Sequence, residues 1–271
     1  GAQPMALRDD AGVLLLQIAY NGEIYNFKQL RAELISQGSI FTTNSDTEVL
    51  LRLYDRYGID MVRRLRGMFA FVIWDEAKKG MLLARDPYGI KPLYYNDEGG
   101  TLRVASQVKA LLAGEAVSTA PNPAGHIGFF TLGYVPEPHT MYEKIQSLPA
   151  GTSLWLDRDG KRNQSTYFNF QSEITELENI TLKASKEELR AALIETAEFH
   201  LISDVPVGVF LSAGLDSASI MALVSEVAGK QMETMTLRFD EFADSSLDEA
   251  PMAADIAKLY GTRHQTRTVK G

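Results

Sequence analysis

The sequence contains no cysteine and only four histidines among its 271 residues. Without cysteine, the chain has no disulfide bridges and no cysteine-ligated zinc. The histidines are scattered without the spacing of a metal site, so each is interpreted as an ordinary surface or core residue: His126, His139, His200 and His264.

Long apolar runs and an excess of basic residues are also missing. No run approaches the roughly 20 residues that a membrane-spanning helix needs, and the N-terminus lacks the basic-then-apolar pattern of a signal peptide. The net charge of −8 argues against a general nucleic-acid or anionic-membrane surface, but not against a local phosphate site. With 45% apolar and 23% charged residues, the composition is that of a soluble globular protein of one large or two ordinary domains.

The first half of the chain is predicted to be an antiparallel α+β domain, because its strands come in runs rather than alternating with helices. A buried strand covers Val13–Tyr20 and ends at the turn-forming pair Asn21-Gly22. Ser45-Asp46-Thr47-Glu48 has the spacing of a capping box and opens a helix. The other predicted elements are a helix over 27–36, a hairpin of strands 68–74 and 81–84, and short strands at 93–95 and 102–105.

From about Ser185 the pattern changes to alternating helices and strands. A second capping-box sequence, Ser185-Lys186-Glu187-Glu188, opens a helix that runs to about His200. The elements that follow are strand 207–211, helix 218–228, strand 233–238, helix 248–260 and strand 264–269. This β-α-β-α-β order predicts a parallel sheet with right-handed crossovers. The polar residues 171–184 between the two halves are interpreted as a linker.

The segment from Val207 to Ala218 is the most informative stretch of the chain. An apolar, β-branched run ends at Ser212-Ala213-Gly214-Leu215-Asp216-Ser217, and a helix pattern follows. A loop between a strand and a helix N-terminus aims backbone N–H groups and the positive end of the helix dipole at one point, which suits a phosphate. The alternative is an ordinary turn in which Ser217 is the N-cap. The local pattern alone supports both about equally.

Asp216 is the one acidic residue of this loop. A carboxylate repels phosphate oxygens unless a cation lies between them, so its position predicts Mg²⁺, which proteins hold through one or two carboxylates together with substrate phosphates. Gly214 lets the backbone approach a ligand closely, and Ser212 and Ser217 add hydroxyl donors.

Two groups in the first half can also bind a ligand. The Asn21 amide and the Gly22 N–H can form a two-donor oxyanion hole, and the alternative is a tight turn with Glu23 exposed. Asp46 can hold the amino group of an amino-acid substrate, and the alternative is a first-turn acid that favours the helix dipole. Each group alone favours the plain structural interpretation.

Four motifs in the first half follow the order of a known domain. They are Asn21–Asn26, Ser45-Asp46-Thr47-Glu48, Arg66–Phe71 and Arg85–Tyr95. In this order they resemble the class II glutamine amidotransferase domain, which has an Ntn-hydrolase fold of stacked antiparallel sheets. The loop at 212–217 resembles the loop of N-type ATP pyrophosphatases, and the whole order is similar to glutamine-hydrolysing asparagine synthetases. The resemblance implies an α+β Ntn-hydrolase-like domain followed by the start of an α/β parallel-sheet ATP pyrophosphatase domain.

The resemblance implies roles for individual residues. Glutamine is held by Asn21, Gly22, Glu23 and Asp46, and the first two of these stabilise the tetrahedral oxyanion. ATP binds at Leu211, Ser212, Gly214, Leu215, Asp216 and Ser217, and at the backbone of Leu237. The segment 85–95 is interpreted as structural, with a turn and the interdomain face organised by Arg85, Asp86 and Lys91. The implied domains are 1–170, the linker 171–184, and 185–271.

The chain departs from the family pattern in three ways. The family nucleophile is an N-terminal cysteine, which is absent, and the aspartate-binding and later ATP-binding segments are expected beyond Gly271. The chain is therefore expected to be an internal fragment of a longer protein. The alternative is a genuine start at Gly1 and a lost glutaminase. Ala213 stands where the loop most often has glycine, and it would be strained if that position needed a positive φ.

The function implied by the resemblance is a two-step amide synthesis in the cytoplasm. Glutamine hydrolysis supplies ammonia to a carboxylate, aspartate by default, that ATP and Mg²⁺ have activated as an acyl-adenylate, giving asparagine, AMP and pyrophosphate. No nucleic-acid or membrane partner is expected, and a homodimer stays open. The alternatives are an amidotransferase for another carboxylate, a non-catalytic ATP-binding or assembly module, and a stand-alone glutaminase, which the ATP loop disfavours.

Overall fold

The computed structural model describes residues 2–178, 185–228, 232–243, 245 and 247–270. The chain divides into two compact units, 1–180 and 181–271, each with its own sheet and core. Among the helices of the described residues, none has both the length and the apolar character needed to cross a bilayer.

The first unit contains two antiparallel sheets. The strands of the larger sheet are β1 (Met5–Arg8), β2 (Leu14–Ile24), β3 (Gly67–Asp75), β4 (Gly80–Arg85), β8 (Thr152–Asp157) and β9 (Arg162–Thr166). They lie side by side in that order. The smaller sheet consists of β5 (Tyr94–Asn96), β6 (Arg103–Ala105) and β7 (Gln146–Ser147), with β5 in the centre. The predicted hairpin of β3 and β4 and the two predicted short strands are confirmed.

The α-helices described in the first unit are α1 (Phe27–Ser36), α2 (Asp46–Tyr57), α3 (Val108–Leu112), α4 (Pro123–Leu132) and α5 (Phe170–Glu178). Helix α2 begins after Ser45, whose hydroxyl accepts the Thr47 N–H as an N-cap. The predicted capping box is wrong in its second half, because the Glu48 carboxylate accepts hydrogen bonds from Thr42 and Thr43 instead. Glu48 thereby fixes the loop that leads into α2.

Apolar side chains cover both faces of the larger sheet. On β3, Phe69, Phe71 and Ile73 lie in one core together with buried residues of α1 and α2. Ala70 and Val72, at the alternate positions, belong to a second core that includes residues of the smaller sheet. Because successive side chains of a strand point to opposite faces, the unit is layered as helices, large sheet and small sheet. The predicted α+β class with stacked antiparallel sheets is confirmed.

Strand β2 is longer than the sequence predicts. It continues to Ile24 instead of ending at Asn21-Gly22, because residues 21–24 pair with residues 67–70 of β3. Pairing with a neighbouring strand overrides the local preference of Asn-Gly for a turn, so the tight-turn interpretation is wrong.

Gly22 has no room for a side chain within this pairing. An added Cβ would lie 2.1 Å from the Met68 carbonyl oxygen and 2.7 Å from Phe69 Cα. We expect Gly22→Ala to lower the free energy of unfolding by about 2–3 kcal/mol, because the two backbones must separate. Chemical denaturation measures this loss against Gly114→Ala, where an added Cβ would meet one backbone oxygen at 3.7 Å. Equal losses in the two variants would contradict the tight pairing.

The second unit is a three-stranded parallel sheet with helices. The strands β10 (Gly208–Phe210), β11 (Glu233–Phe239) and β12 (Arg263–Val269) lie in that order. Its helices are α6 (Lys186–His200), α7 (Leu215–Ala228) and α8 (Ala250–Tyr260), and all three contribute to the core. The predicted parallel β-α-β-α-β order is confirmed, and so is the capping box of Ser185 and Glu188.

Three predicted element boundaries in the second unit are wrong by a few residues. Helix α7 begins at Leu215 rather than at Ala218, and α8 begins at Ala250 rather than at Asp248. Strand β10 is confined to Gly208–Phe210. Of the predicted linker 171–184, residues up to Glu178 are helical in α5, and residues 179–184 lie outside the described part of the chain. The linker therefore stays a prediction.

Candidate active sites

The part of β2 that carries residues 21–23 has one open edge. On that edge, β1 pairs with β2 only as far as Ile18. Beyond this point the Tyr20 N–H donates to the side-chain oxygen of Gln3 at 2.7 Å. Within the described residues, no strand covers this edge of residues 21–23.

The Gly22 N–H points to the open edge. N–H groups of alternate residues of a strand point to the same side, so this N–H lies between those of Tyr20 and Ile24. The Ile24 N–H donates to Asp46 Oδ2 at 3.2 Å. A predicted oxyanion donor and the predicted amino-group partner therefore lie at the same edge of β2.

Asp46 presents one fixed and one open carboxylate oxygen. It is the first residue of α2, where the helix dipole favours a negative charge. Its Oδ2 accepts hydrogen bonds from the Tyr20 hydroxyl at 2.7 Å and from the Ile24 N–H at 3.2 Å. Its Oδ1 accepts none within the described residues, and the residue is half-buried. The oxygen that is left can accept from a ligand.

The Asn21 side chain lies on the face of β2 opposite to Tyr20 and Ile24, because successive side chains alternate. Its Nδ2 donates to Ser106 Oγ at 3.3 Å, and the residue is exposed. An amide nitrogen carries two N–H donors, so a second donor is left for a substrate oxygen. Glu23 is half-buried within the strand and is not exposed in a turn.

In the second unit, the loop after β10 is hydrogen-bonded to β11. The Leu211 N–H donates to the Met235 carbonyl at 2.9 Å, and Thr236 Oγ1 donates to the Leu211 carbonyl at 2.6 Å. Leu237 follows Thr236 and lies beyond Phe210–Met235, the last pair of β10 and β11. Leu237 and the predicted ATP loop are therefore at the same carboxyl-end edge of the parallel sheet.

The hydroxyls of Ser212 and Ser217 fix the shape of this loop. Their Oγ atoms are 2.9 Å apart, Ser217 Oγ accepts the Ser212 N–H at 3.1 Å, and Ser212 Oγ accepts the Gly214 N–H at 3.2 Å. Because α7 begins at Leu215, Ser217 lies in its first turn and is not the N-cap. The N–H groups of this turn, including that of Asp216, have no acceptor within the helix and can bind an anion.

Ala213 fits the loop without backbone strain. Among the described residues, the only non-glycine residues with positive φ are Lys79 and Glu115. Gly214 also lies outside the positive-φ region, and an added Cβ there would be 3.2 Å from Ser212 Oγ. The alanine that departs from the family pattern therefore occupies a position where alanine is tolerated.

Asp216 lies in the first turn of α7 and is exposed. In the part of the chain that the structure describes, no three His, Cys, Asp or Glu side chains form a group able to hold a metal ion. Mg²⁺ commonly binds through one or two carboxylates together with phosphate oxygens and water. An exposed carboxylate in the first turn of a helix, beside the predicted ATP loop, fits that type of site.

Comparison with known proteins assigns a family to the larger part of the chain. The sequence profile of the glutamine amidotransferase domain matches residues 1–168. The chain belongs to this glutamine amidotransferase family. A second profile, that of asparagine synthase, matches residues 188–271. The amidotransferase domain thus comes first and the synthase match second, which is the order that the sequence motifs indicate.

Two bacterial asparagine synthetases are similar in sequence to this chain, and both are much longer. Glutamine-hydrolyzing asparagine synthetase 1 of Bacillus subtilis is 36% identical over 271 residues, which cover 99% of this chain and 41% of the relative. Glutamine-hydrolyzing asparagine synthetase B of Escherichia coli is 38% identical over 234 residues, which cover 86% of this chain and 36% of the relative. The chain spans about two fifths of the length of such relatives.

A solved structure of the B. subtilis glutamine phosphoribosylpyrophosphate amidotransferase, complexed with ADP and GMP, also matches. The two are 19% identical, with a TM-score of 0.43, and the match covers 98% of this chain and 64% of that chain. The TM-score is too low for a fold assignment.

The segment after β4 of the amidotransferase domain forms a turn around two buried charged side chains, Arg85 and Asp86. Arg85 is buried and donates to the carbonyl oxygens of Gly89 at 2.8 Å, Lys91 at 2.9 Å and Leu148 at 2.7 Å. The Asp86 carboxylate is fully buried and accepts backbone N–H groups from Phe69, Tyr88, Ile90 and Lys91. The predicted turn is confirmed, with Lys91 acting through its backbone, and the interdomain face stays a prediction.

Three residues that contact the predicted site residues could not be identified from the sequence. Tyr20, Ser106 and Thr236 contact predicted site residues that are 26, 85 and 25 positions away along the chain. No local pattern signals such contacts. The only signal for Tyr20 is a hydroxyl at the end of an apolar run, directly before Asn21.

Proposed function

We propose that this chain supplies the glutamine site and part of the ATP site of a glutamine-dependent amide synthetase. Glutamine hydrolysis releases ammonia, which attacks a carboxylate that ATP has activated as an acyl-adenylate. The products are an amide, AMP and pyrophosphate. The observation that carries the proposal is that one chain combines the open edge of β2 beside Asp46 with a strand–loop–helix arrangement at residues 208–217 that suits a phosphate.

Glutamine binding is assigned to four residues of the first unit. Asp46 Oδ1 accepts a hydrogen bond from the substrate ammonium, and the backbone of Glu23 contacts the same amino-acid end. Asn21 Nδ2 and the Gly22 N–H donate to the oxygen that becomes negative when the amide carbon is attacked. Donors that are fixed before the reaction stabilise this charge without reorganisation.

ATP binding is assigned to the loop at the carboxyl end of β10. The groups that would contact ATP are those of Leu211, Ser212, Gly214, Leu215, Asp216 and Ser217, with the backbone of Leu237. Asp216 would hold Mg²⁺, which supplies positive charge to the leaving pyrophosphate when bound. The N–H groups of the first turn of α7 would bind phosphate oxygens, and Ser212 and Ser217 keep the loop in shape through their mutual contact at 2.9 Å.

The domain limits that follow are an amidotransferase domain over 1–170, a linker over 171–184 and the first part of a synthetase domain over 185–271. The profile matches at 1–168 and 188–271 support these limits, although they do not set the ends of the linker. The names of the relatives support aspartate as the acceptor and asparagine as the product.

Transfer of labelled nitrogen tests this function and its acceptor together. The natural polypeptide, with whatever residues precede Gly1 and follow Gly271, is supplied with ATP, Mg²⁺, amide-labelled glutamine and one carboxylate at a time. We expect aspartate to take up the label, with AMP and pyrophosphate formed in equal amounts. Label in another carboxylate would identify that carboxylate as the acceptor and leave the rest of the proposal unchanged. Binding of ATP and glutamine without any transfer would favour a non-catalytic module and overturn the proposal.

A further inference from the structure

Tyr20 joins the two elements that carry the glutamine-binding residues. It directly precedes Asn21 on β2, and its hydroxyl donates to Asp46 Oδ2, at the start of α2, at 2.7 Å. The contact links residues 26 positions apart. It therefore fixes the carboxylate of Asp46 relative to the donors of β2.

Tyr20 is itself held firmly. Its N–H donates to Gln3 at 2.7 Å, and its ring packs against the large core of the first unit. Burial, followed by the neighbouring Asp46 carboxylate, raises the pKa of the Tyr20 hydroxyl far above its ordinary value. The hydroxyl consequently keeps its proton, and remains a donor to Asp46, at any physiological pH.

The Tyr20 contact also decides which oxygen of Asp46 faces a substrate. The terminal torsion of an aspartate side chain is broad, so an isolated carboxylate samples many orientations. With Oδ2 engaged by both Tyr20 and Ile24, rotation is restricted and Oδ1 stays available. An ammonium group that binds Oδ1 does not have to displace an existing hydrogen bond.

We propose that Tyr20 is a positioning residue for the selectivity of the glutamine site. By fixing Asp46, it makes the α-amino group of glutamine a requirement for tight binding. This inference rests on the proposed function, because it takes Asp46 as the partner of that amino group.

Two ligands separate positioning from general stability. L-Glutamine carries the amino group, and 4-carbamoylbutanoate is the same molecule without it. The affinity of the natural polypeptide for each is measured through glutamate release, as the KM of L-glutamine and as the inhibition constant of 4-carbamoylbutanoate. For Tyr20→Phe we expect L-glutamine affinity to fall about five- to tenfold, the loss of one hydrogen bond, and 4-carbamoylbutanoate affinity to change less than about twofold.

Two further variants provide comparisons for Tyr20→Phe. Tyr54→Phe is the matched control, because the Tyr54 hydroxyl donates to Asp75 Oδ2 at 3.0 Å elsewhere in the same unit, and we expect the ratio of the two affinities to stay unchanged. Asp46→Asn removes the negative charge itself and is expected to lower L-glutamine affinity more than Tyr20→Phe does. Melting curves of all three variants confirm that they are folded.

The outcomes separate the inference from the proposed function. If Asp46→Asn changes the ratio of the affinities for L-glutamine and 4-carbamoylbutanoate and Tyr20→Phe does not, the positioning role alone is overturned. An equal loss of both ligands in Tyr20→Phe would assign Tyr20 to stability and overturn it as well. No binding of L-glutamine by the unaltered chain, or no effect of Asp46→Asn, would overturn the glutamine site and the inference with it.

Discussion

Asn21→Ala is expected to lower the rate of glutamine hydrolysis by the natural polypeptide about 10²–10³-fold, the loss observed when one oxyanion donor is removed. The Asn21 side chain is exposed beside the open edge of β2, and Ser106 engages only one hydrogen bond of its amide nitrogen. Alanine removes the donor to the developing oxyanion, while the backbone pairing of β2 with β3 is kept. Release of glutamate at saturating glutamine measures the effect on turnover.

The control for this substitution is Asn163→Ala, an exposed asparagine on β9. It should leave glutamate release unchanged within about twofold, as surface substitutions usually do. The KM for glutamine should change much less than kcat in Asn21→Ala, because the oxyanion exists only during the reaction. A loss of less than about tenfold in kcat would remove Asn21 from the oxyanion hole.

Asp216→Ala is expected to reduce ATP–pyrophosphate exchange by at least about 10²-fold in the natural polypeptide with its acceptor present. The carboxylate lies in the first turn of α7, beside N–H groups that would bind phosphate oxygens of ATP, and a Mg²⁺ ion between the carboxylate and the phosphates would offset their repulsion. Under the proposed function, removing it would deprive the leaving pyrophosphate of its metal partner. Exchange of labelled pyrophosphate into ATP isolates this step from glutamine hydrolysis.

Asp204→Ala is the matched control, because Asp204 is also exposed but precedes β10, at the opposite end of the strand from the loop. Its exchange rate should equal that of the unaltered protein. Raising the Mg²⁺ concentration should partly restore exchange in Asp216→Ala if the carboxylate contributes affinity for the metal. Exchange at the unaltered rate in Asp216→Ala would show that the metal assignment is wrong.

The sequence was most informative where local and tertiary preferences agree. Capping residues and apolar periodicity predict α6 and the alternation of strands and helices in the second unit. For α1, Phe27–Ser36, both predicted ends agree with the structure. Strand β9 and helix α4 were not predicted. The five residues of β9 are all polar and exposed, so they show no alternation. Helix α4 has apolar residues on several sides and exposes Phe130, so it lacks an amphipathic stripe.

The same difference between local and long-range features applies to the candidate sites. Motifs carried by neighbouring residues, such as Asn21-Gly22 and Ser212–Ser217, could be recognised from the sequence alone. Their surroundings could not, because they depend on which strand covers which edge. The end of β1 leaves the Gly22 N–H open, and pairing with β3 extends β2 through a dipeptide that favours a turn. Long-range pairing decides both features.

Rescue by ammonia tests the central claim that the two units carry successive steps of one reaction. Amide formation is measured with either glutamine or ammonium chloride as the nitrogen source, in Asn21→Ala and in Asp216→Ala. Ammonia should restore synthesis in Asn21→Ala, because only ammonia supply is impaired, and should fail in Asp216→Ala, because acceptor activation is lost. Asp216→Ala should still hydrolyse glutamine. Rescue of both variants, or of neither, would contradict the account.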